Sequence, residues 1–312
     1  MDRRAFLRRM AALGAAGGAM LVTRGPLGLL AQEGPSARTP GATYPNVAAV
    51  MGGEPELMFD RGIAALGGMR RFVARGQTVA IKPNMSWGGP PEAGATTNPK
   101  LVKRIIEHCF EAGASKVWIF DNSIESWKST MASSMIEPYA RQAGAQFVPG
   151  NSKGYYQEIT IPRGRSLKMA LVHEAYLGAN VVINVPILKH HGSTGITAAM
   201  KNLMGVVWDR GFFHMNDLHQ CIADFPLCRV PRLNVIDAYR VMLSGGPRGS
   251  SYRADIALKK MQIISTDIVA ADAAAALTWG AEPSSVAYIK KAQELGLGTA
   301  DLSKLNIERI RV

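Results

Sequence analysis

The sequence predicts an α/β fold, with a mostly parallel central sheet flanked by helices in Rossmann-like layers that lack a dinucleotide fingerprint. Short β-branched runs alternate with helical patterns, the order expected of strands joined by crossover helices. One strand–helix–strand unit can be read in full between Thr78 and Phe120. No GxGxxG follows a strand, and no glycine-rich loop ends in the lysine-hydroxyl pair of a phosphate loop.

The chain has 312 residues, 47% hydrophobic and 19% charged, which suits one large α/β domain or two small ones. Its formal charge is +12. Beyond residue 31 the balance is 31 basic against 23 acidic residues, scattered rather than run together. No zinc-finger spacing or aromatic RNA-binding signature accompanies them, so nucleic acid is not an expected partner and an anionic small molecule is.

Residues 1–31 read as a targeting segment. Arg3-Arg4 followed by Phe6-Leu7, then an Ala/Gly-rich apolar stretch from Met10 to Val22, resembles a twin-arginine export signal. The stretch is too short and too Gly-rich to span a bilayer comfortably, and nothing later is apolar for long enough to do so. Export by the twin-arginine machinery to the periplasm or another extracytoplasmic space is therefore expected. Residues 32–45 then form a linker and 46–312 a single domain.

Within that domain, Thr78–Ile81 is a strand, Asn98 caps a helix that has Pro99 in its first turn and stops at Gly113, and Lys116–Phe120 is the next strand. Five apolar runs end in polar residues: Ile81 in Lys82-Pro83-Asn84, Phe120 in Asp121-Asn122, Ile183 in Asn184, Ile236 in Asp237, and Ile264 in Ser265-Thr266-Asp267. Ligands of open α/β sheets bind outside the carboxyl ends of the strands, so these residues are expected to converge on a crevice there. Asp and Asn at such places also serve simply as helix caps.

The segment from Lys189 to Gly205 carries the most chemistry. Its first half is small and hydroxylated, suited to a loop close to a ligand. Its second half reads as a helix whose first amides would favour an anion. Thr197 and Lys201 fall four apart, and Lys201 lies among Ala198, Ala199, Met200, Leu203 and Met204, so its ammonium is either desolvated against an anion or snorkels to water. Of His190 and His191, at most one can face the crevice. The expected catalytic residues are Lys201, His190 and Asp237. The expected ligand-binding residues are Lys82, Asn84, Asp121, Lys189, Thr194, Thr197, Asn202 and Asp267, with no metal ligand assigned and the cofactor left open.

Cys109 falls on one apolar helix face with Leu101, Val102, Ile105, Ile106 and Phe110, and reads as core. Cys221 and Cys228 are spaced either to bridge in an oxidising compartment or to sit as two small buried residues. No CxxC pair is present, which argues against an iron–sulfur cluster.

Four blocks occur in order: Ile81–Asn84; Lys189-His190 through Thr197 to Lys201-Asn202-Leu203 and Gly205; Val235–Asp237 with Gly246-Pro247 and Gly249; and Ser265–Asp267 with Ala270 and Asp272. Together they resemble the signature of the family called domain of unknown function 362, over about residues 45–280. The resemblance implies an uncharacterised function. Members described as iron–sulfur proteins carry an added ferredoxin-type module, and the cysteines needed for that role are missing here. The His-Gly-rich-Lys arrangement is also similar to the loop of nickel-pincer lactate racemases, with Lys201 and one of His190 or His191 the only matching positions. That similarity implies an enzyme with a cofactor held on Lys201; a non-catalytic periplasmic binding or scaffold protein is the alternative.

Replacing Arg3 and Arg4 together by Lys should retain the protein in the cytoplasm, because the export pathway reads the guanidinium pair. Cell fractionation followed by immunoblotting checks this, and normal periplasmic accumulation of the double variant would refute the export signal.

Overall fold

Most of the β-branched runs form strands, and several extend further than the sequence suggests. The computed structural model describes residues 43–249 and 255–312; the export segment and linker residues 32–42 lie outside them. In chain order the strands are β1 (Val47–Met51), β2 (Thr78–Pro83), β3 (Lys116–Ile119), β4 (Gln146–Phe147), β5 (Tyr156–Thr160), β6 (Met169–His173), β7 (Val181–Val185), β8 (Ile187–His191), β9 (Gly195–Thr197), β10 (Leu233–Met242), β11 (Ile256–Ser265) and β12 (Ile307–Arg311).

The main sheet runs β12-β1-β11-β10-β7-β2-β3-β4, with β8 beside β10 and β9 hairpinned onto β8, while β5 and β6 form a separate ribbon. Pairing is parallel from β10 through β7, β2 and β3 to β4, and parallel again between β1 and β12. β11 is antiparallel to both of its neighbours. The mostly parallel α/β class predicted from the sequence is thus the observed one.

Strand alternation divides the two faces. Val79 and Ile81 on β2, Val117 and Ile119 on β3, and Ile183 on β7 join Ile105 in one buried apolar cluster. Ala80 and Lys82 point to the other face. The helix Pro99–Glu111 covers the first face. It starts where the sequence places it, with the Asn98 side chain accepting from Lys100 N at 3.0 Å and Pro99 needing no donor partner. It ends before Gly113, whose φ of +100° reverses the chain. Cys109 is buried on its apolar face, as expected. Cys221 and Cys228 are both free thiols.

Two expectations fail for topological reasons. β11 runs against the parallel strands, so its carboxyl end pairs with the start of β10, Ser265 opposite Asn234, and the chain leaves it toward the amino-terminal side of the parallel set. Asp267 therefore stands apart from the crevice and caps the helix Ile268–Trp279, accepting from Val269 N and Ala270 N at 2.8 and 2.9 Å. Asp237 does not end a strand, because β10 continues to Met242. Buried there, it accepts from Asn98 N at 2.7 Å and Tyr239 N at 3.0 Å, tying the sheet to the start of the helix Pro99–Glu111.

Asp237→Ala leaves those two amides without their acceptor, and a buried donor left unsatisfied costs about 1–3 kcal/mol. Urea unfolding should show a midpoint lowered by that amount of stability at an unchanged slope; a midpoint equal to wild type would show that the tether is dispensable.

Candidate functional site

Where β2 and β3 end side by side, Lys82 and Asp121 meet as a buried ion pair, Nζ to Oδ1 2.9 Å. Neither side chain reaches solvent. Such a pair persists only if its remaining hydrogen-bonding capacity is filled. Lys82 also donates to Pro83 O at 2.8 Å and to Asn202 Oδ1 at 2.9 Å, while Asp121 Oδ2 accepts from Met85 N at 2.7 Å. Burial pulls the Lys82 ammonium below its usual range, and Asp121 opposes that pull.

Gly205 lies against this pair. A Cβ added there would stand 2.1 Å from Asp121 Oδ1 and 2.7 Å from Lys82 Nζ, so only glycine lets the backbone pass this close.

The segment Lys189–Gly205 departs from the expected loop and helix. Its first half is the β8–β9 hairpin, and its helix is the single turn Ala199–Asn202. The amides predicted to attract an anion are occupied: the buried Asp272 carboxylate accepts from Ala199 N and, at 3.0 Å, from Met200 N. Burial pushes the Asp272 pKa up to about 7, with those two amides pulling it back. Asn202 uses all of its side-chain capacity, accepting from Lys82 and from Asn84 Nδ2 at 2.9 Å and donating to Lys82 O at 3.2 Å and Asn184 Oδ1 at 2.8 Å. Lys189, buried on β8, donates to Asn84 Oδ1 at 3.2 Å and Ala95 O at 2.5 Å.

Above this base opens a pocket of about 380 Å³, whose walls include Asn84, Lys189, His191, Thr197, Lys201, Asn202 and Arg210. No Asp or Glu lines it among the described residues. Burial, with Lys201 and Lys82 nearby, brings Lys189 down to about 7, although Asp121 opposes this. Burial, with Arg210 and Lys82, brings Lys201 down to about 8. Burial and the same lysines lower His191 to about 3, so its ring is neutral. Its Nδ1 accepts from Ser193 N at 3.2 Å, which leaves the proton on Nε2.

The structure brings Lys82, Asn84, Asp121, Lys189, Thr197, Lys201 and Asn202 together at this pocket or directly beneath it. Thr197 comes from β9 rather than from a shared helix face. Thr194 holds the hairpin turn, donating to Ile196 O at 3.0 Å. His190 turns away, its Nδ1 accepting from Gly246 N at 3.1 Å and its ring lying over Trp279. Asp237 and Asp267 do not line the pocket.

Arg210 and His214 were not among the sequence candidates. Arg210 is held by Asn122 O and Ser123 O, at 2.5 and 3.2 Å. Both residues follow Gly205 in a segment with no strand or helix periodicity. The described residues include no group of three or more His, Cys, Asp or Glu placed to hold a metal ion. A wall of cations without a carboxylate is a poor cradle for a metal ion.

Residues 79–277 match the family described as Domain of unknown function (DUF362). Over 241 residues the chain is 24% identical to a thylakoid-associated protein of Synechocystis sp., covering 74% of this chain and 72% of that protein. Among solved structures, a lactate racemase apoprotein from Thermoanaerobacterium thermosaccharolyticum aligns with a TM-score of 0.42 and 14% identity, over 62% of this chain and half of that one.

Asp121→Ala should cost about 3–5 kcal/mol, because it strands a buried ammonium, whereas Lys82→Met with Asp121→Leu should regain most of that loss. Thermal unfolding of the single and double variants decides it. Equal losses in both would show that packing, not charge pairing, governs this position.

Proposed function

Since the chain belongs to the family described as Domain of unknown function (DUF362), we propose a function from its site: an exported enzyme that binds an anionic small molecule in the crevice at the carboxyl ends of the parallel strands. The charge on the walls supports this most directly. Lys189, Lys201 and Arg210 face a pocket that no acidic side chain lines among the described residues, and the Asp121 carboxylate beneath it is already committed to Lys82 and Met85 N.

A ligand anion supplies the charge the walls lack, and the partly desolvated setting strengthens its attraction to them. Arg210, fixed by two backbone carbonyls, is placed to orient it. The neutral His191 ring presents an Nε2 donor. Enzymatic rather than purely binding chemistry is favoured by amines held near 7 and 8, since groups with perturbed pKa in a cleft suit proton transfer. Export rests on the Arg3-Arg4 segment and places this chemistry outside the cytoplasm.

Calorimetric titration with inorganic phosphate, citrate and pyruvate tests the reading. At least one anion should bind, and Lys201→Met should weaken it roughly ten- to more than a hundredfold, as loss of a charged hydrogen bond worth about 1.5–3 kcal/mol requires, at an unchanged melting temperature. Because the anion favours the protonated amines, affinity should be highest below pH 7 and fall as the pH rises through 8, where Lys201 loses its proton. Binding by Lys201→Met equal to wild type would remove this residue from the site.

A further inference from the structure

We propose that Lys201 is a nucleophile and that the substrate is a small carboxylate bearing a carbonyl next to it, which Lys201 captures as an imine. This rests on the pocket being the anion site just described.

The basis is an inventory of where each cation's hydrogens go. Lys82 has Asp121, Pro83 O and Asn202. Lys189 has Asn84 and Ala95 O. Arg210 has Asn122 O and Ser123 O. Lys201 Nζ, by contrast, meets no hydrogen-bond acceptor or carboxylate among the described residues, although it lines the same pocket.

Lys201 is half-buried in a one-turn helix anchored at both ends, by Asp272 on its first amides and by the Asn202 network beside it. The cations beside it are Arg210, Lys82 and Lys189, which disfavour a further positive charge, while the neutral His191 ring and His214 complete the ionisable groups around it. An unpaired, pre-positioned amine among cations keeps a far larger free-base fraction near neutral pH than an ordinary lysine, the condition a lysine needs to attack a carbonyl.

The other walls fit the rest of such a substrate. Arg210, Lys189 and the His191 Nε2 donor suit the carboxylate. Trp87, Ile124 and Met204 give apolar room for a substituent beyond the carbonyl.

The step balances without a further reactant. The neutral Nζ adds to the carbonyl carbon, the C=O π pair moves to oxygen, and that oxygen takes up the proton released by nitrogen. The carbinolamine then loses its hydroxyl with a proton as water, leaving C=N and a net release of one water.

The test uses the full chain with pyruvate and phenylpyruvate, each with and without sodium borohydride, read by intact mass and peptide mapping. The expected result is one reduced adduct per chain, on Lys201, that saturates with probe concentration. Lys201→Arg should abolish it at unchanged melting temperature, and lactate, which has the carboxylate but no carbonyl, should compete. Adducts spread over surface lysines with no preference for Lys201 would overturn the proposal. If lactate shields Lys201 from acetic anhydride yet no reducible adduct forms with either probe, the nucleophile assignment falls while the anion site stands. If no anion shields Lys201, both fall.

Discussion

The buried pair of Lys82 and Asp121 is the constraint on which the site depends. Each charge taken alone out of water would cost several kcal/mol, so the surrounding chain has to supply partners on every side. Gly205 admits the backbone against the pair, Met85 N and Asn202 complete its hydrogen bonds, and Gly205 O in turn accepts from Asn122 N at 2.9 Å. Because Asn202 sits in the same one-turn helix as Lys201, satisfying the pair also fixes the pocket-lining lysine. One electrostatic requirement thus positions residues drawn from β2, from the loop after β3 and from the turn Ala199–Asn202.

That requirement continues across the sheet as a row of polar residues in register: Lys82 opposite Asn184, Asn184 opposite Asn234, and Asn234 opposite Ser265. Asn184 Nδ2 donates to Asn234 Oδ1 at 3.1 Å and to Ala199 O at 2.9 Å. A slip of one residue in any of these strands would turn the polar member into the apolar cluster on the opposite face, so the row specifies register as well as anchoring the pocket floor. The cost of burying so many amides is offset only because each finds a partner.

This row also explains what was legible in the sequence. The polar ends of Ile81, Phe120 and Ile183 could be seen as a set, and they do converge, because β2, β3 and β7 are parallel neighbours. Ser265 belongs to the same row yet sits at its far end, since nothing local marks β11 as antiparallel; strand direction is a property of topology, not of the run itself. Asp237 looked like a strand end because an acid interrupts an apolar run, and only the tertiary partner Asn98 N makes it tolerable inside β10. The helix caps at Asn98 and Asp267 could be read because capping is local. Arg210 and His214 could not, because no periodicity marks the segment that brings them over the pocket. Asp272 was visible within a family block, but its capture of the Ala199 and Met200 amides spans 73 and 72 residues of sequence.

Chemically identical side chains end with different properties through depth and partners alone. Lys82, fully buried, keeps a carboxylate at contact distance and so can stay charged as a structural ion. Lys189, equally buried, has only neutral acceptors, and its ammonium is held near 7, where a small change in surroundings decides its protonation. Lys201 has neither carboxylate nor acceptor among the described residues and is less deeply placed, which leaves it near 8 and open to the cavity. An anion entering the pocket would favour the charged state of both Lys189 and Lys201, whereas a carbonyl would consume the neutral state of Lys201 alone. The same walls therefore discriminate between ligands that merely neutralise the site and ligands that react in it, and the discrimination comes from how hydrogen-bond acceptors are shared out among the lysines rather than from any residue type peculiar to the pocket.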